Sequence, residues 1–272
     1  MRFVAAGILL LLFFSCNNNS KIKNGIIDSI DSSFTKLDTA HVFVLAAPLQ
    51  IATLVKINCP DPEIELLCPD SISSSYVTNY KRGLNLGICI TDIGYCALYG
   101  KQEDAFHYLK KTEDLIHELY LDNLGEQFVR RLKENISKPD SMSKILLTLS
   151  NLAQKQLNES GNEKIAFYIT AGSFLEGMAI SLGNKQMRKS KSFPQMIGQE
   201  KLWLKNFFDA IVYLKPDNDT QDLYNTFFTI EHYAEPIKVK TEKGIPSAIF
   251  SEPDIDTLQK KVIQLRNEAS KS

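Results

Sequence analysis

Residues 76 to 100, YVTNYKRGLNLGICITDIGYCALYG, constrain the fold more than any other stretch. From Leu84 onward the run is apolar almost all the way round a helix, and such a helix is buried on every side. At 100° per residue with Gly83 at zero, Gly87 falls at about 40°, Gly94 at about 20° and Ala97 at about −40°. Glycine inside a helix costs roughly 1 kcal/mol against alanine, so three on one stripe call for the close approach of a second backbone. Asn85, Asp92 and Tyr99 fall at about 200°, 180° and 160°. The helix therefore has a smooth side for packing and a polar spine on its back.

A second stretch, IAFYITAGSFLEGMAISLG at 165 to 183, is also apolar nearly all round and reads as a partial echo of the first. With Gly172 at zero, Ala179, Gly183 and Glu176 lie at about −20°, 20° and 40°, so an acid sits on the small-residue stripe itself. Amphipathic helices are expected around this pair. Residues 24 to 57 hold a helical pattern that Pro48 kinks or divides, and Gln102 to Tyr120 places Ala105, Tyr108, Leu109 and Ile116 on one face. Asn123 to Glu134 is short, and the next helix runs from Asp140-Ser141 through Leu157. Residues 184 to 193 read as a basic surface loop. Pro194 opens a helix through Leu202, Phe207, Phe208 and Ile211, and Asp217 to Tyr233 is another. Residues 236 to 251 are non-helical, either a short extended segment or a loop. Ser251-Glu252-Pro253 starts the last helix, with Ile255, Leu258, Val262 and Leu265 on one face. The fold class is all-α: a bundle or array of about eight or nine helices around two nearly all-apolar central ones. The hairpin of the first central helix with Gln102 to Tyr120 is loosely tetratricopeptide-like, without that repeat's period.

The N-terminus sets the expected location. Met1-Arg2 is a short basic start, and Val4 through Phe14 is an apolar run too short for a stable membrane span. It ends in Leu12-Phe13-Phe14-Ser15-Cys16, which resembles the lipobox of bacterial lipoproteins; Phe13 stands where leucine is usual. The resemblance implies a signal peptide at 1–15, cleavage before Cys16, and acylation (palmitate) of its thiol and new amino group. A polar tether at 16–24 would join this membrane anchor to a single helical domain at 25–272. The tether has no acidic residue after the cysteine, which by the same analogy implies an outer-membrane anchor facing the periplasm. GLNLGICITDIGYCALYGKQEDAFHYLKK, AFYITAGSFLEGMAISLG and the closing VIQLRNE resemble a group of uncharacterised all-helical lipoproteins of Bacteroidota. That resemblance implies fold and location and brings no catalytic motif.

The formal net charge of −1 gives no case for a nucleic-acid partner. An exported chain can keep disulfides; Cys59 and Cys68 frame CPDPEIELLC and either close it or stay as thiols, since spacing does not fix pairing. Cys89 and Cys96 lie roughly 10 Å apart by helical rise, beyond disulfide reach, and read as small buried hydrophobes. His41, His107, His117 and His232 show no metal-ligand spacing, and no phosphate loop or nucleotide fingerprint calls for a cofactor. Asp92 and Glu176 are the acids set inside apolar helices. Buried carboxylates are costly unless paired or protonated. Either they form an acid–base pair across the central helices, serving a small-molecule binder or hydrolase, or protein donors satisfy them. The second alternative fits a non-catalytic scaffold or partner-binding module, and that is the expected function.

Overall fold

In the computed structural model, which describes residues 46–69, 76–138, 157, 159–211 and 217–271, the chain is built almost entirely of helices. In order these are α1 (Ala46–Asn58), a 3-10 turn (Ile64–Leu66), α2 (Asn79–Leu98), α3 (Gln102–Glu118), α4 (Asp122–Asn135), α5 (Glu163–Gly183), α6 (Lys185–Arg188), α7 (Phe193–Ile211), α8 (Asn218–Ala234), β1 (Lys238–Glu242), β2 (Ile245–Ile249) and α9 (Glu252–Ala269). The architecture is the all-α bundle that the sequence implies, with α2 and α5 at its centre. The expectations for the signal peptide, Cys16, the tether, the pattern at 24 to 45 and most of the helix at 140 to 157 lie outside the described residues.

Steric fit explains the central crossing. A methyl group on Gly87 would run into the Ile169 carbonyl, and one on Gly172 into the Leu84 carbonyl. At Gly83 it would lie 2.7 Å from Tyr168 Cβ. Only glycine permits this approach, and hydrogen bonds fasten it: Ser173 Oγ donates to Gly87 O at 2.9 Å, and Thr91 Oγ1 lies 3.4 Å from Ser173 O across the crossing. Among the described residues, α5 is the one helix long and apolar enough to cross a membrane, and here its apolar stretch, residues 166–183, is buried in protein.

Local signals start several of the helices. Thr78 caps α2 by accepting from Lys81 N. Asp217 and Thr220 form a capping box on α8, and Ser251 and Asp254 form another on α9. Phe167 of α5, Phe207 of α7 and Phe227 of α8 stack in sequence, with centroids 4.5 Å apart at each step, and join those three helices.

Two open alternatives are settled and two expectations need correction. Residues 238 to 249 form an antiparallel hairpin, with Lys243 and Gly244 both at positive φ (52° and 81°) in its two-residue turn. The hairpin lies on α7, where a methyl on Gly198 would come within 2.9 Å of Ser247 N. Residues 184 to 193 are not simply a surface loop, because Asn184, Met187 and Phe193 are buried and 185 to 188 are helical. Cys59 and Cys68 are both free thiols, and the Cys59 thiol donates to Asn184 Oδ1 at 3.1 Å. On α9 the residue that continues the buried stripe after Val262 is Arg266; Leu265 is only half-buried.

Candidate functional site

The polar spine of α2 faces α9 and the loop at 59 to 68. Asn85 Nδ2 donates to Lys81 O at 2.8 Å and across to Ala269 O at 2.9 Å. Tyr99 Oη donates to Cys59 O at 2.7 Å, while Tyr95 Oη accepts from Glu63 N at 2.9 Å. From α3, Tyr108 Oη donates to Cys68 O at 2.7 Å. Three tyrosines thus stitch the loop down over the middle of α2, the position that Asp92 occupies.

Beneath that loop the two sequence-nominated acids come together, and Arg266 joins them. Asp92 and Glu176 are fully buried and Arg266 is 4% exposed. The Arg266 guanidinium donates through Nη1 to both Glu176 oxygens, at 2.7 and 2.8 Å, and through both terminal nitrogens to Leu66 O at 3.3 Å. Burial raises the Glu176 carboxyl, and Arg266 pulls it back toward its charged form. For a guanidinium nitrogen shared by both oxygens at these distances the ionised state is the consistent one.

Asp92 stands differently. Neither of its oxygens accepts a well-formed hydrogen bond, although the Cys68 amide lies close enough to favour its charge somewhat. Burial, and then the Glu176 charge, push the Asp92 carboxyl well above the usual carboxylate range, with Arg266 acting against them. The arrangement is therefore one positive guanidinium, one carboxylate and one neutral acid whose proton faces Glu176 and helps hold it ionised. Burial also raises the Cys68 and Cys89 thiols, so neither is a ready thiolate. Chemically the cluster can hold and share a proton. Its two carboxyl groups have no solvent contact, and Arg266 has almost none.

A third interior acid was not nominated from the sequence. Glu200 of α7 is 2% exposed, and neither of its oxygens has a hydrogen-bond partner. Burial pushes its carboxyl up to about 8, opposed only by the nearby Ser181 hydroxyl of α5. The signal for it was present: Phe193, Ile197, Glu200, Leu204, Phe207 and Ile211 recur at three- and four-residue steps, so Glu200 occupies a core position of an apolar stripe. Arg266 carried the same signal, following Ile255, Leu258 and Val262 on α9.

The remaining nominated residues do not gather. Among the described residues, no three His, Cys, Asp or Glu side chains are grouped as a metal's ligands would be. His117 is exposed and meets Asp122 Oδ1 at 2.9 Å, and His41 lies outside the described residues. No protein-family model matches this chain, and no curated protein or solved structure does either.

Proposed function

We propose that the protein is a lipid-anchored helical lipoprotein of the outer membrane, facing the periplasm and serving as a non-catalytic partner-binding scaffold. The observation that carries the scaffold reading is the closure of Glu176 on Arg266 beneath the 59 to 68 loop. One of the two acids best placed for chemistry is spent on fastening α9 to α5. A buried ion pair with its hydrogen bonds filled positions elements more readily than it reacts. The anchor rests on the basic start, the short apolar run and Ser15-Cys16.

Two experiments test these parts separately. Labelled palmitate should enter the native protein and not Cys16→Ser, and the variant should move to the soluble periplasmic fraction; unchanged membrane retention overturns the anchor. For the scaffold, cross-linked partners recovered from native membranes should be the same for Asp92→Asn as for the native chain, because a residue buried under the loop touches no partner.

A second reading has one observation in its favour. Burial pushes the Asp92 carboxyl well above the usual carboxylate range and neither oxygen accepts a well-formed hydrogen bond, a direction of shift that suits a general acid. On this reading the 59 to 68 loop lifts to admit a small substrate to Asp92 and Glu176. Binding or turnover of a small substrate by the native protein, lost in Asp92→Asn with stability retained, would favour it.

A further inference from the structure

Glu200 has no part in the cluster around Arg266, and among the described residues only the Ser181 hydroxyl acts against its burial as a charge. Among the described residues, the elements packed against α7 supply no cation to it. On α5, Glu176 is committed to Arg266, and Ser181 spends its hydroxyl proton on Met178 O at 3.1 Å. On α8 and at its end, Glu231 and Glu235 act with Lys238 of β1 on Lys201 rather than on Glu200. The Lys201 ammonium itself donates to Ala234 O and Ile237 O. β2, Ile245-Pro-Ser-Ala-Ile, has no titratable side chain. The one charged residue of α1, Lys56, sits 4.0 Å over the Tyr99 ring.

We propose that Glu200 is a proton-operated lock: with its proton in place α7 and the hairpin it carries stay closed on α5, and losing the proton opens them. The warrant is geometric. An ionised carboxylate at 2% exposure with neither oxygen hydrogen-bonded is among the costliest groups an interior can hold. A neutral acid in the same place is far cheaper, and its hydroxyl can be directed at Ser181 Oγ, which has lone pairs to spare. Opening returns the carboxyl to water, where its pKa is ordinary. It also uncovers the Phe167–Phe207–Phe227 stack, so the lock governs access to an aromatic surface. The lock does not depend on the partner-binding reading.

The sign follows from proton counting. Between the ordinary glutamate range, about 4.5, and about 8, the closed form holds one more proton than the open form. Each unit of rising pH therefore favours opening about tenfold, and the rise levels off above about 8. The experiment is hydrogen exchange of the full chain from pH 5 to 9, corrected for the intrinsic pH dependence of amide exchange. It reads peptides covering 193 to 211 and 238 to 249. Fluorescence quenching of Trp203, the only tryptophan, gives a second readout on the same helix. The native protein should show about tenfold more opening per pH unit up to about pH 8, and Glu200→Gln should be flat. A flat native profile, or an equal slope in Glu200→Gln, overturns the lock. If Glu200→Gln does not fold, Glu200→Leu takes its place. If neither folds, the native slope must coincide with loss of a protonated-carboxyl infrared band near pH 8, and a slope without that loss overturns the proposal.

Discussion

Glu176 of α5 and Glu200 of α7 are both buried glutamates, and they meet the cost of burial in opposite ways. Glu176 keeps its charge, because Arg266 arrives from α9 with donors to both oxygens. Glu200 has no cation and gives up its charge by holding a proton. One acid is bound to a particular partner and the other to the pH. The first fixes a helix through a charge that Arg266 supports. The second fixes its helix only while protonated. The halves of the molecule differ accordingly: the α2–α5–α9 side is fastened by an ion pair and a glycine crossing, and the α7–hairpin side by apolar packing with a titratable fault in it.

The same substitution should separate the two. Glu176→Gln leaves the Arg266 guanidinium buried beside a neutral amide, and breaking a buried pair in this way typically costs about 3–5 kcal/mol. Glu200→Gln removes no partner. Its stability relative to the native chain should improve by about 1.4 kcal/mol for each pH unit between about 4.5 and 8, because the native chain alone then pays to keep or lose the extra proton. Urea titrations of both variants at pH 5 and 8 check this. Similar losses at both positions and both pH values would erase the distinction.

The glycine crossing gives a second way to sharpen it. Gly87→Leu places a side chain where the Ile169 carbonyl lies, so α2 and α5 must part and draw Asp92 away from Glu176. Overpacking of this kind costs about 1–3 kcal/mol and sometimes more, beyond any gain in helix propensity. The melting temperature should fall by several degrees, while the pH slope that belongs to Glu200 should persist. An unchanged melting temperature would mean that α5 can yield at the crossing.

The crossing was legible in the sequence because its cause is local. Gly83 and Gly87 recur at helical spacing, and so the absence of side chains marks one face before any partner is known. Asp92 and Glu176 were legible as anomalies in apolar helices. Arg266 was not, because its partner is 90 residues away, and a single arginine near the end of an amphipathic helix reads as surface. Glu200 was hidden in the same way among the lysines and glutamine of α7. In both cases position on the stripe carried the information, and residue type concealed it. The β1–β2 hairpin was half legible: Val239 alternates with lysines, but Pro246 disguises the second strand, where it can sit because a two-stranded sheet is all edge.

The smallest expected effect lies at Asp92, and it tests whether the neutral acid belongs with its partner Glu176 or with Glu200. Asp92 shares Glu200's condition, a proton held by burial, but it lies beside a carboxylate that can use that proton. Asp92→Ala removes the hydroxyl that faces Glu176 and empties the space under the 59 to 68 loop. A cost of about 1–3 kcal/mol follows from leaving a buried acceptor less well satisfied. Asp92→Asn keeps the shape, and its amide supplies an N–H in place of the acid's O–H, so it should lose less than alanine does, below about 1 kcal/mol at pH 6. The pH dependence has a definite sign. A carboxyl raised in the folded state stabilises most below its unfolded range, near 3.9, and that contribution fades as pH rises toward its folded value. Asp92→Asn lacks this loss, so its deficit against the native chain should shrink as pH rises and can reverse by pH 9. Thermal melts of both variants at pH 6 and 9 measure it. If alanine proves neutral or stabilising at both pH values, Asp92 contributes nothing to the cluster's stability. Its burial would then have to be explained by the substrate-binding reading rather than by the fastening of α9.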